Sequence, residues 1–552
     1  MGNKTKANTF LAHGGILALA SILVRFIGMI YRIPMVNIIG SEGNGYYSTA
    51  YSVYNILLLL SSYSLPLAVS KLVSAKTAVG KWKETKRIIA AAFIFAAAVG
   101  LTFSLITFFM ADFFCTKVMG SPRAAIALKW LAPTVFIMAV LGVLRGFFQG
   151  LQTMIPTAVS QILEQVANAF VSVGMAAALV QYGAEVSLAS GDASYRAAWG
   201  AAGGTIGTGA GAFIALAFCT MLFFLYRPNF NSNTARDRSS KVRPYGKIMK
   251  VLVFTAVPII ISTAAYNCID IFDVVIFNHG MKRAGYTVSE YTSVWGDYNS
   301  AFMILIHLPV AFASAIASAL VPSLSAAYAE EDKALVIEKI SVTFRTVLII
   351  ALPFSFGMMA IGGNLARLLF PTIAPEAEKY LIIGGFAVLF YSLATVTNAI
   401  LQGLNHLDKP VIHNLISLVV HIALMFFFLY VLKLEITGVI IAYMLFGLVT
   451  SMLNLWSIYR ITGYLPEPVH SIAIPAGASF AIVAVCLLVS FAVSRFASGN
   501  KANLLIVLLS FIIGFIVYFI LIFRLQCVTK ADILELPSGK KLLRVLKKVR
   551  LV

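Results

Sequence analysis

From about residue 10 to about residue 524 the chain is a succession of apolar runs, each close to twenty residues long. A helix that crosses a bilayer needs about 20 mostly apolar residues, and closed helices are one of the two structures that can span lipid. Fourteen such runs can be drawn, near 10–33, 46–70, 88–112, 127–150, 156–180, 198–226, 248–278, 297–326, 343–364, 379–403, 411–432, 436–460, 470–494 and 502–524. Only 12% of the residues are charged and 60% are apolar, too few charges to cover a soluble protein of 552 residues. The run behind Lys4 and Lys6 imitates a signal peptide but continues to about Pro34, and so reads as an uncleaved first helix.

The basic residues sort by side. With the N-terminus inside, 28 lysines and arginines fall in cytoplasmic segments and 10 in external ones, the asymmetry that the positive-inside rule describes. An even helix count then puts both termini in the cytoplasm. The net charge of +20 becomes a matter of topology and of attraction to anionic membrane lipids, not of nucleic acid. In the tail, Lys540–Val552 alternates basic and apolar residues, as a surface-lying amphipathic helix does.

Two stretches echo each other. Gln149-Gly150 followed by Pro156 matches Gln402-Gly403 followed by Pro410, and Tyr54-Asn55 before Leu65-Pro66 matches Tyr298-Asn299 before Leu308-Pro309. Six helices is an even number, so the two halves are parallel repeats about an axis along the membrane normal. The expected fold is all-α integral membrane: about fourteen transmembrane helices, two parallel six-helix repeats forming two lobes, and a C-terminal helix pair. The expected divisions are a first lobe over 1–226, a basic linker over 227–247, a second lobe over 248–460, a helix pair over 461–524 and a basic amphipathic tail over 525–552.

A charge at a helix centre costs about 2.5–3.5 kcal/mol on insertion scales, so it marks a partner or a wet cavity. In the first run Arg25 and Arg32 are seven residues apart and share a face with Gly14, Ala18, Ser21 and Gly28. Two guanidinium groups so placed suit a phosphate or pyrophosphate, with lipid-headgroup contact as the alternative for Arg32. Asp270 and Asp273 share a face of the seventh run, near Thr263 and Asn267. They are candidates for gating, by a salt bridge to the first helix, or for a coupled H⁺ or Na⁺. Glu164 in the fifth run needs a partner, and Arg145 at the end of the fourth is the candidate. Asn398 and Gln402 line a cavity or join helices. Lys71 and Lys76 end the second run, where they serve either topology or headgroup recruitment. His307, His413 and His421 are too dispersed for a metal site.

Cysteines 115, 219, 268, 486 and 527 have no metal or redox spacing and read as small hydrophobes. There is no Walker A pattern, no HExxH and no paired CxxC. The external loops are too short for a catalytic domain, so the chain reads as no enzyme, with no cofactor. A cation-coupled multidrug exporter is one alternative and a membrane glycan polymerase another. Arg25 argues against the first, and the second lacks a cluster of acids at one membrane face.

Leu144-Arg-Gly-Phe-Phe-Gln-Gly150 with Pro156-Thr-Ala-Val-Ser-Gln-Ile-Leu-Glu-Gln165 resembles the signature of the bacterial polysaccharide-biosynthesis exporters. That group includes stage V sporulation protein B and the MurJ-type lipid II flippases. Ile39-Gly-Ser-Glu-Gly43, Gly45-Tyr-Tyr47 and Leu65-Pro-Leu-Ala-Val-Ser-Lys-Leu-Val73 resemble the same group. The likeness runs over helices one to twelve. It implies the multidrug/oligosaccharidyl-lipid/polysaccharide flippase superfamily, two lobes around a cationic cavity, and alternating access without a cofactor. It further implies a lipid-linked glycan substrate, lipid II first, in the bacterial cytoplasmic membrane, moved by a monomeric transport unit. Arg25, in Val24-Arg-Phe-Ile-Gly28, matches the first cavity arginine of the MurJ type. The second position carries Tyr31, with Arg32 one residue on, as suits the sporulation-protein branch. Helices thirteen and fourteen resemble the pair that forms a groove for the polyprenyl tail. Whether an ion is coupled, or the membrane potential suffices, is open at this point.

Overall fold

The computed structural model describes residues 2–63, 65–239, 242–255 and 269–527, and within these the side chains from residue 20 onward, apart from 21 and 63. Among the described residues there is no strand. The first longer helices are α1 Gly2–Leu58, α2 Leu65–Thr77, α3 Trp82–Phe109, α4 Ala124–Gly150, α5 Ile155–Ser190, α6 Ser194–Arg236, α7 Ile269–Arg283 and α8 Val288–Asp297. They are followed by α9 Leu305–Ala329, α10 Lys333–Leu369, α11 Ala387–Gly403, α12 Asp408–Phe426, α13 Glu435–Thr462, α14 Ile474–Val493 and α15 Gly499–Arg524.

Twelve stretches of the described residues are long and apolar enough to cross a membrane. The first, Ile22–Thr77, holds two of the expected runs. Between them the backbone of α1 breaks at Gly40, with φ 72° and ψ 178°, a conformation that costs glycine little and other residues much. The seventh expected run falls in part on 256–268, outside the described residues, as do Thr263, Asn267, Cys268 and the tail from 528. The other four cysteines are free and buried.

The chain divides into two compact units, Met1–Gly296 and Asp297–Val552. In the first, α4 crosses α2 at backbone distance. A Cβ on Gly146 would stand 2.7 Å from the Pro66 carbonyl oxygen, and one on Gly150 2.6 Å from Val73 Cβ. Lipid supplies no hydrophobic drive between helices, so close approach of small residues takes its place. Leu65, Val69, Val73, Leu144 and Phe147 fill the core beside this crossing. Large apolar side chains such as Phe109 and Phe170 stay three-quarters exposed, as lipid-facing residues do.

The second unit repeats these details. A Cβ on Gly403 would meet the Leu324 side chain at 2.9 Å, so α11 crosses α9 as α4 crosses α2. Gln152 and Asn405, just past the two Gln-Gly pairs, take φ 62° and 61°. A π-helical stretch, Leu59–Tyr63, lies just ahead of Pro66, and another, Tyr298–Ile304, ahead of Pro309. Proline removes a donor and clashes with the carbonyl four residues back, which favours such a local widening. The C-terminal pair α14–α15 packs on α10: the Tyr518 hydroxyl donates to the Ile349 carbonyl at 2.7 Å, and Asn364 Nδ2 to Asn503 Oδ1 at 2.9 Å.

The unit division falls beyond the linker at 227–247, so that α7 and α8 belong to the compact unit of α1–α6. Gly296 and Gly45 make this contact. A Cβ on Gly296 would overlap the Ser41 carbonyl, and one on Gly45 the Thr292 carbonyl. Asn44 Nδ2 donates to the Gly296 carbonyl at 2.6 Å, Asn278 Nδ2 to that of Met119 at 2.7 Å, and the Tyr291 hydroxyl to that of Gly120.

The linker itself is strapped to the start of α3. Asp237 Oδ2 accepts the Lys83 N–H at 2.8 Å, Arg87 donates to the Arg243 carbonyl at 3.0 Å, and Arg243 pairs with Glu84 at 3.3 Å. The Lys83 N–H is an orphan donor of a helix first turn, where a carboxylate is favoured. The backbone donors of Lys83 and Ser239 hold the Asp237 carboxyl down at about 2. A depressed carboxyl stabilises above its unfolded value and loses that contribution as pH falls through the folded one. The strap should therefore persist at neutral pH and loosen only below about pH 4. Asp237→Ala is expected to speed hydrogen exchange at residues 82–84 and 237–243 at pH 7 while leaving α4 and α5 unchanged.

Candidate functional site

Arg25 and Arg32 lie on α1 ahead of its break, one exposed and the other half-buried. Seven residues separate them, about 10 Å along a helix. Gly14, Ala18 and Ser21, the rest of the expected stripe, have side chains outside the described residues. A Cβ on Gly28 would stand 3.7 Å from Gln165 Oε1, which brings this part of α1 beside α5.

Beyond Gly40, α1 carries Tyr47, Tyr51 and Tyr54, spaced by four and three residues and so on one face. Ring centroids are 4.5 Å apart for Tyr47–Tyr51 and 5.6 Å for Tyr51–Tyr54. The Arg32 guanidinium sits over the Tyr47 ring, 5.9 Å from its centroid. Such a seat holds a cation without cancelling its charge. Tyr51 is fixed by a hydrogen bond with the Thr208 hydroxyl of α6, and Tyr31 by Asn168 Nδ2 of α5, 3.2 Å from its oxygen. Asn168 is in turn 2.8 Å from the Ser172 hydroxyl. The sequence reading missed these tyrosines, although their four-and-three spacing was available.

Other cations of this unit have carboxylate partners. Arg145 Nη2 meets Glu164 Oε2 at 2.7 Å, and Arg145 Nε donates to Ser160 Oγ at 3.0 Å. The expected Arg145–Glu164 pair thus forms, between α4 and α5. Arg123 pairs with Asp192, and Lys129 with Asp112 at 2.7 Å. Among the described residues, Arg25 and Arg32 have no carboxylate partner. No bridge from either reaches α7, where Asp270 is exposed and Asp273 is buried. Lys71 is exposed, whereas Lys76 pairs with Glu84 at 3.0 Å. In the second unit Gln402 is exposed, and Asn398 Oδ1 accepts Asn454 Nδ2 at 2.9 Å. That contact joins α11 to α13.

The site is therefore a spanning helix with two cations, one seated on tyrosines, in a unit whose other arginines and lysines at helix ends are paired. Residues 10–328 match the family described as polysaccharide biosynthesis protein, more than half of the chain. The chain belongs to that family. Residues 258–427 also match the MatE family. Stage V sporulation protein B of Bacillus subtilis (strain 168) is 24% identical over 490 residues, 89% of this chain and 90% of that protein. The lipid II flippase MurJ of the same strain is 24% identical over 442 residues, 77% of each chain. Among solved structures, the lipid II flippase MurJ in an inward closed conformation superposes with a TM-score of 0.63 at 14% identity, covering 92% of this chain and 97% of that one. An inward-facing multidrug resistance MATE family transporter superposes with a TM-score of 0.65 at 16% identity, over 83% and 98%. The fold is thus that of the superfamily which holds both transporter kinds.

Proposed function

We propose that this chain is a flippase for a polyprenyl-pyrophosphate-linked cell-wall precursor, lipid II first, moved from the inner to the outer leaflet by alternating access. One observation carries the reading. Arg25 and Arg32 are cations within a spanning stretch, without a carboxylate partner among the described residues. A cation at that depth is costly, and an anion that visits and leaves would offset it only during transport. Pyrophosphate suits the pair because guanidinium forks bind phosphate oxygens two at a time. The Tyr47 seat leaves the charge of Arg32 available for such an anion.

The relatives support a transporter and not an enzyme, and the one named as a lipid II flippase supports the substrate. The cycle begins open to the cytoplasm, with the headgroup between the lobes and the lipid tail in the bilayer. The lobes then reverse and release the substrate outside. An inside-negative potential favours the departure of an anion by about 2.3 kcal/mol per charge per 100 mV. The protein works in the bacterial cytoplasmic membrane as a monomeric unit with both termini inside. A second reading keeps the mechanism and changes the headgroup to another polysaccharide or teichoic-acid unit. The likeness to stage V sporulation protein B favours it.

Binding tests the site. Protein in nanodiscs should hold polyprenyl pyrophosphate at least about tenfold more tightly than the monophosphate, as expected if one further bidentate contact is worth about 1.5–3 kcal/mol. Arg25→Ala should remove that preference, and added salt should weaken it. Equal binding of the two lipids by wild type, unchanged in Arg25→Ala, would rule the pyrophosphate site out.

A further inference from the structure

The second unit holds a buried polar stripe that the anion site does not use. On α12, His413, Ser417 and His421 are four residues apart and share one face, and all three are buried. They face α13. His413 Nδ1 is 2.7 Å from Asn454 Oδ1, His413 Nε2 is 3.2 Å from Ser457 Oγ, and His421 Nδ1 is 3.0 Å from the Ala442 carbonyl. Between these contacts in sequence lie Ser417 on one helix and Thr450 on the other. Their hydroxyl oxygens are buried without a hydrogen-bond partner among the described residues. Beside Ala442, the Tyr443 hydroxyl is 3.5 Å from Nε2 of His307 on α9, and His307 is exposed.

The hydrogen bonds around His413 fix where its proton is. The Thr397 hydroxyl donates to the Leu393 carbonyl at 2.7 Å, so its oxygen is left to accept Asn454 Nδ2 at 3.0 Å. Asn454 Nδ2 also meets Asn398 Oδ1, which turns Asn454 Oδ1 toward His413. An amide oxygen only accepts, so His413 carries its hydrogen on Nδ1. Nε2 is then the basic nitrogen, and it accepts from the Ser457 hydroxyl. A proton arriving at Nε2 breaks nothing: Ser457 reverses its hydroxyl and accepts. The cluster is built to hold imidazole with either one proton or two.

We propose that His413 is a proton-binding site, and that His413, Ser417, Thr450, His421, Tyr443 and His307 form a relay through the second unit. Its ligand is a proton, and it makes the coupling ion H⁺, held apart from Asp270 and Asp273. The proton moves as such: it bonds to one lone pair as it leaves another, with no oxidation and no leaving group. His413 lies near the α12 end that the charge reading places in the cytoplasm, about 8 Å into the helix, and His421 lies about 20 Å in. The groups around the stripe are otherwise neutral at pH 7. From α13 come Tyr443, with Tyr459 and the cation Arg460 at its exposed end; from α11, Tyr391, stacked on Tyr443 at 4.3 Å. The stretch 427–431 adds Tyr430, and the first turn of α12 adds Asp408 and Lys409. Both nitrogens of His413 are held by neutral partners, so the proton it gains is not locked in by a carboxylate and is free to move on. This inference rests on the chain being a transporter, and not on the identity of its substrate.

The test is nitrogen NMR of the full chain in nanodiscs with ¹⁵N-labelled histidine, the seven residues being assigned with variants such as His413→Gln. His413 should show the Nδ1–H tautomer at neutral pH and gain a second ring proton as pH is lowered from about 8 to about 5, with His421 responding to the same event. In Ser417→Ala/Thr450→Val, His413 should still titrate while the response of His421 is lost. A His413 resonance unchanged over that range overturns the site, and an unaltered His421 response in the double variant overturns the relay. In proteoliposomes, the pH dependence of lipid transport should flatten in His413→Gln. A wild type that titrates as described but moves no pyrophosphate lipid would overturn the substrate reading and leave the relay standing.

Discussion

Glu164→Gln is expected to destabilise the protein by about 3–5 kcal/mol, the largest effect of any single substitution considered for the first unit. Arg145 and Glu164 meet at 2.7 Å, with side chains only 10% and 16% exposed. Arg145 has one further partner, Ser160, and no second carboxylate. Removing the carboxylate therefore leaves a guanidinium buried between α4 and α5 with a hydroxyl alone. Arg145→Met should cost a comparable amount, for the opposite reason. The double variant Arg145→Met/Glu164→Leu should recover most of the loss, because apolar replacement of a whole buried pair is often neutral or stabilising. Thermal unfolding in detergent measures all three. A small and additive set of shifts would mean that the pair is solvated, and would return Glu164 to the cavity-lining role that the sequence also allowed.

Gly296→Ala is expected to open the contact between α8 and the segment of α1 that follows its break. The added methyl would overlap the Ser41 carbonyl, which is backbone and cannot rotate away. Gly45 faces the same limit against Thr292. Overpacking of this kind costs about 1–3 kcal/mol, and a transporter can relieve it by populating a state in which the two segments are apart. A cysteine in place of Thr292, which is 2% exposed, reports the change. It should resist a membrane-impermeant maleimide in an otherwise wild-type chain and react readily once Gly296→Ala is added. Resistance in both would mean that the crossing is a fixed part of the first unit and that the gate lies elsewhere.

The spanning runs were legible because bilayer thickness imposes one length on every helix, whatever its partners. The repeat was legible from Gln-Gly and Leu-Pro pairs, since each marks a local need: a close helix crossing at Gly150 and Gly403, and a widened turn ahead of Pro66 and Pro309. Arg145 and Glu164 were paired from sequence because one lies at the end of a helix and the other near the start of the next. The tyrosine seat of Arg32 was not legible. It depends on the chain break at Gly40, which brings Tyr47 back to Arg32, fifteen positions earlier in sequence. Nor was the strap of Asp237 on Lys83, because hydropathy carries no trace of a contact between two polar segments 154 positions apart. The three histidines looked dispersed on one-dimensional grounds. His307 meets α13 only through the fold, 136 positions from Tyr443. Lys76 shows the reverse case: topology accounts for its side of the membrane, but its partner, Glu84, lies across a turn.

The central claim is that an unpaired cationic site on the first helix carries a pyrophosphate-linked lipid. The most direct measurement uses cells depleted of their own lipid II flippase and expressing this chain as wild type, Arg25→Ala or Arg32→Ala at matched membrane levels. An externally added lipid II-cleaving enzyme reports lipid II at the outer face. The expected result is cleavage restored by wild type, lost with Arg25→Ala and reduced with Arg32→Ala. Wild type that is correctly inserted yet restores no cleavage would contradict lipid II as the substrate, and full restoration by both arginine variants would contradict the cationic site itself.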